Sequence, residues 1–408
     1  MNSYKKDNIK KPNRVIYFIA FIILSLFFKA KYKLKIDKEQ IKNIKSPFIV
    51  LSNHICNIDF LVVGLAMYPY KLNYVAGAIY FRMKFVSWLI RIMGCIPKEQ
   101  FVRDPGIVRH VYEVIKRGDN VIIFPSGQSS FSGESTYIDR SIAKLVKKMN
   151  VQIISSHMNG GHIAFPKWNM KSLRKSRIEI ELKPMLSPDE MQNMSSDEIY
   201  KKIVDTLYFD DYEWQRKNMI KAKKPRNVEG LQQILFMCPK CESEFNMKTE
   251  GNRLFCTKCG NTALMDEYGF LHAENSDCKI FETPTEWNRW QFKEYENMVD
   301  DNFAYSEQAS LFEIAPNGKK TKLGEGTVTI TVDNIKYEGT YGNEEVTMST
   351  KNDTASMFGH EAKTEFNVVF NNKMYAVAPK NGGATFKFVM LKEIIYKKYY
   401  ADKEKNLK

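Results

Sequence analysis

The sequence predicts an α/β domain with a largely parallel sheet, followed by a short cysteine-bearing segment and a β-rich C-terminal region. Three patterns carry this. From residue 45 to about 185, apolar runs of strand length alternate with stretches of helical spacing, the order expected of strands joined by helices. Two C-x-x-C pairs fall within residues 236–275. From about 305 the apolar pattern changes to alternation, with Val328, Ile330 and Val332 on one face. The 408 residues suffice for two or three domains. With 44% apolar and 26% charged residues, the chain is neither mainly disordered nor a polytopic membrane protein. Lys plus Arg is 61 against 47 for Asp plus Glu, a net charge of +14 that favours an anionic partner: nucleic acid, an anionic membrane surface or a phosphorylated substrate.

The N-terminal element comes first. Lys5, Lys6, Lys10, Lys11 and Arg14 precede the apolar run Val15 to Phe28 (VIYFIAFIILSLFF), and Lys29, Lys31, Lys33 and Lys35 follow it. As a helix this run covers about 21 Å, short of the ~30 Å hydrocarbon core. No small-x-small cleavage site follows, which argues against a signal peptide. Cations on both sides suit a helix lying in an anionic membrane face; a true span and a buried core helix are the other two readings. Residues 1–39 are therefore expected to anchor the chain at the cytoplasmic face of the cell membrane.

The α/β domain is expected over 40–215. Pro47 to Ser52 (PFIVLS) reads as a buried strand ending in Asn53-His54, and Asp59 to Met67 as a buried helix. Tyr74 to Ala78 is a strand; Met83 to Met93 is a helix stopped by Gly94; Pro105 to Arg117 is a helix closed by Gly118. Asn120 to Phe124 is a strand broken by Pro125 and Gly127. Ile138 to Met149 is a helix, and Val151 to Ser155 and Arg177 to Leu182 are strands. Residues 196–230 read as a helix running into a basic linker, placed at 216–235, with Lys221, Lys223, Lys224 and Arg226. The region 280–402 is expected to hold several short strands, a hairpin turning at Asn371-Asn372, and a closing helix from about Phe386 to Tyr400.

Three polar loops follow buried elements, the place where α/β proteins expose reactive groups. His54 and Asp59 form an H-x-x-x-x-D pair at a strand-to-helix junction; Gly94-Cys95-Ile96-Pro97-Lys98 follows a helix; Phe124-Pro125-Ser126-Gly127-Gln128-Ser129-Ser130 follows a strand. The pair alone is weak, because a packed loop histidine and a carboxylate at a helix start explain it equally well. The three loops together, behind an apolar basic-flanked segment, are a stronger signal. Histidine is the side chain whose unperturbed pKa lies near working pH, and no G-x-S-x-G elbow is present for a serine nucleophile. Cys56, between the pair, reads as a small buried thiol.

Over about residues 40–185 the chain resembles the lysophosphatidic acid and glycerol-3-phosphate acyltransferase family. SNHICNID looks like its NH-x4-D motif, GCIPKEQ its second motif and FPSGQSS its third, usually FPEGTRS; Val151-Gln152-Ile153-Ile154 sits where a fourth, proline-containing motif is expected. The resemblance implies that His54 is the general base and that Asp59 orients it. A lipid hydroxyl then attacks the thioester of acyl-CoA or acyl carrier protein, with no catalytic cofactor. Asn53, Lys98, Arg103, Phe124, Pro125, Ser126, Gly127 and Ser130 are the expected substrate-binding residues. The chain departs from the family where Ser126 replaces the glutamate of the third motif, Ser129 its arginine, and Gln100 the basic position of the second. Lys98 and Arg103 flank the site and are the cations left to take a phosphate. The acceptor implied is 1-acylglycerol-3-phosphate, in phospholipid biosynthesis; a different lipid hydroxyl or amine stays open.

Cys238-x-x-Cys241 and Cys256-x-x-Cys259 are separated by 14 residues, close to the spacing of a zinc ribbon. Four thiolates close a tetrahedron, so a structural zinc is expected, with iron the alternative; Cys278 is left free. The C-terminal strands-then-helix order resembles a pleckstrin-homology-like module. Trp287, Trp290 and Phe292 read as packing residues. The densest basic cluster flanks the apolar N-terminus, which suits anionic lipid better than a nucleic-acid groove. The rival readings are a non-catalytic lipid-binding scaffold, a zinc-ribbon nucleic-acid binder, and a thioesterase that gives the acyl group to water.

Overall fold

The computed structural model describes residues 9–99, 104–169, 176–222, 225–315, 318–360 and 364–401. It divides into two compact units, the first built from residues up to 214 apart from 166–169, the second from 166–169 and the chain from 215 onward.

The first unit is a seven-stranded sheet with helices on both faces. Its elements are α1 (Arg14–Lys31), β1 (Lys33–Asp37), β2 (Phe48–Ser52), α2 (Asp59–Met67), β3 (Leu72–Gly77), α3 (Lys84–Ile92), β4 (Ile96–Lys98), α4 (Gly106–Lys116), β5 (Asn120–Ile123), α5 (Ser141–Met149), β6 (Gln152–Asn159), the single turn α6 (Gly161–Ala164), β7 (Arg177–Leu186), α7 (Pro188–Asn193), α8 (Ser196–Leu207) and α9 (Asp211–Asn218), which runs into the second unit. The strand order is β1-β7-β6-β2-β5-β3-β4, and only β6–β7 is antiparallel. β2 is buried on both faces, as its unbroken apolar run requires of a central parallel strand. Ile49 and Leu51 join a core with Val111, Val114, Val146 and Ile203, while Phe48 and Val50 join a core with Phe28, Val62 and Val63 on the other face.

Lys33 and Lys35, expected beside a membrane helix, lie instead in β1, an edge strand paired in parallel with β7. Lysines on an edge strand also discourage pairing with another chain. The N-terminal helix is longer than its apolar run. Asn13 caps it by accepting the N–H groups of Val15 and Ile16, and Lys29 and Lys31 sit in the last turn, favourable at the helix C-terminus. One face buries Tyr17 and Phe28, and Phe21 stacks on Tyr68 at 3.9 Å. The opposite face leaves Val15, Ile23 and Leu26 at 60% exposure or more. No helix among the described residues is long and apolar enough to cross a membrane.

In the second unit, the stretch expected as a linker carries the end of α9 and the fully buried Val228, Leu231, Ile234 and Leu235. Lys223 and Lys224 lie outside the described residues. A four-stranded antiparallel sheet follows: β8 (Met247–Glu250), β9 (Arg253–Cys256), β10 (Thr262–Met265) and β11 (Leu271–Ala273). Helix α10 (Pro284–Met298) starts with a capping box between Thr283 and Glu286 and buries Trp287, whose indole N–H donates to the Met237 carbonyl at 2.9 Å. Then comes a seven-stranded antiparallel sheet, β12 (Ala304–Ile314), β13 (Lys320–Thr331), β14 (Asn334–Tyr341), β15 (Glu344–Lys351), β16 (Gly359–His360), β17 (Phe366–Phe370) and β18 (Lys373–Pro379), in the order β15-β14-β13-β12-β18-β17-β16. Helix α11 (Ala384–Tyr399) closes it. The Asn371-Asn372 hairpin has φ of 48° and 62°, the left-handed pair that a two-residue type I′ turn requires. Gly326 and Gly339 face each other across β13 and β14, where a Cβ on Gly326 would lie 2.2 Å from the Glu338 carbonyl oxygen.

Candidate active site

The site begins where β2 leaves the sheet. Its parallel partners β5 and β6 hold it at the centre, so its carboxyl end opens onto the edge where the other parallel strands also end. Asn53, the first residue out, is 3% exposed. Its amide donates to the Met158 carbonyl at 2.8 Å and accepts the Met158 N–H at 2.9 Å, pinning the chain's direction against β6. The turn from Cys56 to Ile58 then folds back and delivers Asp59 as the first residue of α2.

Asp59 Oδ2 accepts three hydrogen bonds: from His54 Nδ1 at 2.7 Å, from the Ile55 N–H at 2.9 Å and from the Cys56 N–H at 3.3 Å. The helix N-terminus adds a favourable field for the carboxylate. Asp59 is fully buried, whereas the His54 side chain is 20% exposed. Because Nδ1–H donates to the carboxylate, Nε2 is the acceptor that meets solvent or substrate. Phe124 covers the imidazole, ring centroids 4.7 Å apart. The buried Cys56 thiol is pushed well above its ordinary pKa by burial and then by the Asp59 charge, so it is no ready nucleophile.

The loop after β5 is stitched to the His54 loop. The Ser130 N–H donates to the His54 carbonyl at 3.0 Å, and the Ser129 hydroxyl donates to Asn57 Oδ1 at 2.6 Å. Gly127 turns the chain with φ of 74°. The Ser126 hydroxyl donates to the Gln128 carbonyl at 3.2 Å, and that of Ser130 donates to the Glu134 carbonyl at 2.6 Å. Pro125 follows Phe124, the residue of this loop that lies against the imidazole.

Lys98 ends β4, paired with Gly77 of β3. Three strand spacings separate β4 from β2, so Lys98 stands roughly 14 Å from the His54 loop along the same edge. Burial lowers its pKa, opposed by the charges of Asp104 and Asp139. Arg103 and Gln100 lie outside the described residues.

Three contributors go beyond the roles read from the motifs: Gln128, inside the third motif but given no role there, and Gly161 and Asp211, outside every motif. The Gln128 side-chain oxygen is buried with no hydrogen-bond partner among the described residues, a costly state that a donor from a bound molecule would relieve. Gly161 backs the His54 loop so closely that a Cβ there would lie 2.8 Å from Ile55 Cγ2 and 3.2 Å from Cys56 Sγ. Asp211, fully buried, accepts the N–H groups of Gly160 at 2.6 Å, His162 at 2.8 Å and Ile163 at 3.1 Å, and so fixes that turn; burial pushes its pKa up to about 7. The Gly160-Gly161 dipeptide ahead of a buried turn was the available signal; Asp211, some fifty residues on, left none.

In the second unit, the Sγ atoms of Cys238, Cys241, Cys256 and Cys259 all lie within 4.8 Å of one another. Two of the distances, Cys238 to Cys259 and Cys241 to Cys256, are 3.7 and 3.8 Å. A tetrahedral ion with metal–sulfur bonds of about 2.3 Å needs sulfurs about 3.8 Å apart, so the four thiols fit a structural metal. Asn261 and Ser243 lie in hydrogen-bond contact with the cluster. Cys278 stands apart, accepting the Thr262 N–H at 3.3 Å.

Residues 33–159 match the family model described as Acyltransferase. The 1-acyl-sn-glycerol-3-phosphate acyltransferase of Bacillus subtilis is 22% identical over 129 residues, covering 31% of this chain and 64% of that protein. The chloroplastic 1-acyl-sn-glycerol-3-phosphate acyltransferase LPAT1 of Arabidopsis thaliana is 22% identical over 149 residues, 35% of this chain and 41% of that protein. The matched part thus spans less than two thirds of either curated relative. The crystal structure of the 1-acyl-sn-glycerophosphate acyltransferase PlsC from Thermotoga maritima overlays with a TM-score of 0.41 at 18% identity, covering 50% of this chain and 80% of that one.

Proposed function

We propose that this chain is a membrane-associated O-acyltransferase that moves a fatty acyl group from acyl-CoA or acyl carrier protein to a lysophospholipid hydroxyl, with 1-acylglycerol-3-phosphate as the acceptor. The observation that carries the reading is the His54–Asp59 pair, 2.7 Å apart at the carboxyl edge of a parallel sheet, with one imidazole nitrogen left to accept. In this reading His54 Nε2 takes the acceptor's hydroxyl proton as the oxygen attacks the thioester carbonyl. The C–O bond forms, the C–S bond breaks, and the imidazolium returns its proton to the departing thiolate. Asp59 holds Nδ1–H throughout and balances the positive charge. General-base help of this kind contributes about 10²–10⁴-fold. A thioester is already activated, so no acyl-enzyme and no metal at this site are required.

Lys98, at the end of the same sheet edge, is the described cation we assign to the acceptor's phosphate; Gln128 is assigned to a donor on the glycerol. The exposed apolar face of α1, with Lys10, Lys11, Arg14, Lys29 and Lys31 around it, supports an interfacial seat on the anionic cytoplasmic leaflet. Zinc is the ion we assign to the four thiols, as a structural site with no open position.

The test is thiol release from a panel of acyl-CoA and acyl carrier protein donors in liposomes, with and without lysophosphatidic acid, alongside His54→Ala. Acceptor-dependent release that disappears in the variant is the expected result. Release without acceptor would replace the reading with a thioesterase. No release with any donor would replace it with a lipid-binding scaffold.

A further inference from the structure

Helix α11 buries two lysines, and they are treated differently. Lys387 is matched: its ammonium meets the Glu244 carboxylate at 2.7 Å and sits over the Tyr305 ring at 3.9 Å. Lys392, a turn later and 1% exposed, has no carboxylate within ion-pair distance among the described residues. Its ammonium donates to the main-chain carbonyl and to Oδ1 of Asn352, the latter at 3.3 Å, and lies 5.6 Å from the Phe358 ring centroid. Asp353 is the acidic group whose charge reaches it. Neutral acceptors do not replace a counter-ion, and a cation taken out of water without one costs several kcal/mol. Burial accordingly pushes its pKa down to about 7.

Beside this unmatched cation is a cavity of about 310 Å³, with Lys392 in its wall. That volume is at the small end of ligand pockets. Met357, Phe358 and Val368 supply an apolar part of the lining, and Thr354 and Asn372 a polar part. All these residues belong to the second unit. An ammonium uses three donors and Asn352 occupies two, so one remains for a further acceptor.

We propose that this cavity is a binding site for a small carboxylate amphiphile, its carboxylate completing the ion pair with Lys392 and its hydrocarbon body lying against Met357, Phe358 and Val368. The site is separate from the His54–Asp59 pair and does not depend on acyl transfer. A carboxylate is favoured over a phosphate dianion because the cavity's second lysine, Lys351, is exposed to water, which leaves Lys392 as the one buried cation against the apolar wall, whereas a buried dianion would need several donors.

The experiment measures decanoate and inorganic phosphate binding to the full chain by calorimetry, with hydrogen exchange to locate it. Decanoate is expected to bind and to protect residues 350–358 and 384–396, with phosphate giving no protection there. Lys392→Met should weaken decanoate binding about tenfold or more, the loss expected for a charge-assisted contact. Thr354→Trp, which fills the cavity and keeps the lysine, should abolish it, and carries the test alone if Lys392→Met does not fold. His54→Ala should leave it unchanged. The proposal is overturned if decanoate protects no part of the second unit, if phosphate binds there in its place, or if affinity survives Thr354→Trp.

Discussion

Replacing Asp59 by Asn is the sharpest perturbation of the proposed chemistry, because it removes a charge and little else. In the wild type, Oδ2 does all the accepting, while Oδ1 is buried with no hydrogen-bond partner among the described residues. An asparagine that keeps its oxygen in the Oδ2 position still accepts from His54, Ile55 and Cys56. It then buries an NH₂ group without an acceptor, at about 1–3 kcal/mol of stability. The opposite rotamer points NH₂ at Nδ1, which forces the proton onto Nε2 and removes the base. The first rotamer keeps the tautomer but cannot balance the imidazolium. Both routes attack the same step, so kcat should fall by about 10²–10⁴-fold, while KM for donor and acceptor changes little, since Asp59 has no exposed surface to offer a substrate. The assay is steady-state thiol release with saturating acceptor, on Asp59→Asn, His54→Ala and the double variant. The double variant should be no slower than His54→Ala alone, because Asp59 acts through the histidine. A variant that keeps more than about a tenth of wild-type kcat, or a double variant whose losses multiply, would refute the assigned roles.

Lys98→Met should raise KM for a phosphate-bearing acceptor with kcat nearly unchanged, read by varying lysophosphatidic acid at saturating donor; an equal effect on a phosphate-free lipid alcohol would remove Lys98 from headgroup binding. Metal analysis should find one zinc per chain, and chelation should lower the melting temperature of the second unit, because Glu244 beside the knuckle pairs with Lys387 of α11 and Gln291 of α10 accepts the Met237 N–H at 2.9 Å. A Cys256→Ser chain that retains full metal and unchanged melting would contradict the site. Lys392 makes a pH prediction: its pKa is lowered from 10.5 to about 7 in the folded state, so between those values the unfolded chain binds more protons, and stability rises with pH. The slope is at most about 1.4 kcal/mol per pH unit from pH 7 upward. Denaturant titrations at pH 7, 8 and 9 should show it, and Lys392→Met should lose it.

What the sequence made legible follows from how local each signal is. The two strand-end loops are readable because β2 and β5 are unbroken apolar runs that stop at Asn53 and at Phe124-Pro125, and the third segment because Gly94 stops the helix before it. The Asn371-Asn372 hairpin is readable because two adjacent asparagines tolerate left-handed φ. β1 is missed although Leu34 and Ile36 alternate with Lys33 and Lys35, because five lysine-rich residues beside an apolar helix imitate a membrane flank; only the parallel partner β7, some 140 residues on, separates the two readings. The same distance problem applies within the site. The meeting of His54 with Asp59 depends on a turn that the N–H groups of Ile55 and Cys56 stabilise by donating to the very carboxylate that holds the imidazole. The backing of that turn by Gly161, and the fixing of Gly161's neighbours by Asp211, join residues 55, 161 and 211, a span no motif covers. Motif reading therefore finds the groups expected to touch substrate, while the groups that set their geometry emerge only when the chain is folded. The departures at Ser126 and Ser129 show why this matters. Ser129 Oγ donates to Asn57 and Ser126 Oγ to the Gln128 carbonyl, so both hydroxyls stitch the loop where a glutamate and an arginine would have carried charge. If the chain is the acyltransferase proposed above, the loss of those charges puts discrimination at the acceptor headgroup on Lys98 and on the Gln128 oxygen, which has no hydrogen-bond partner among the described residues, and acceptor preference, more than the acyl-transfer step, is then the property expected to set it apart.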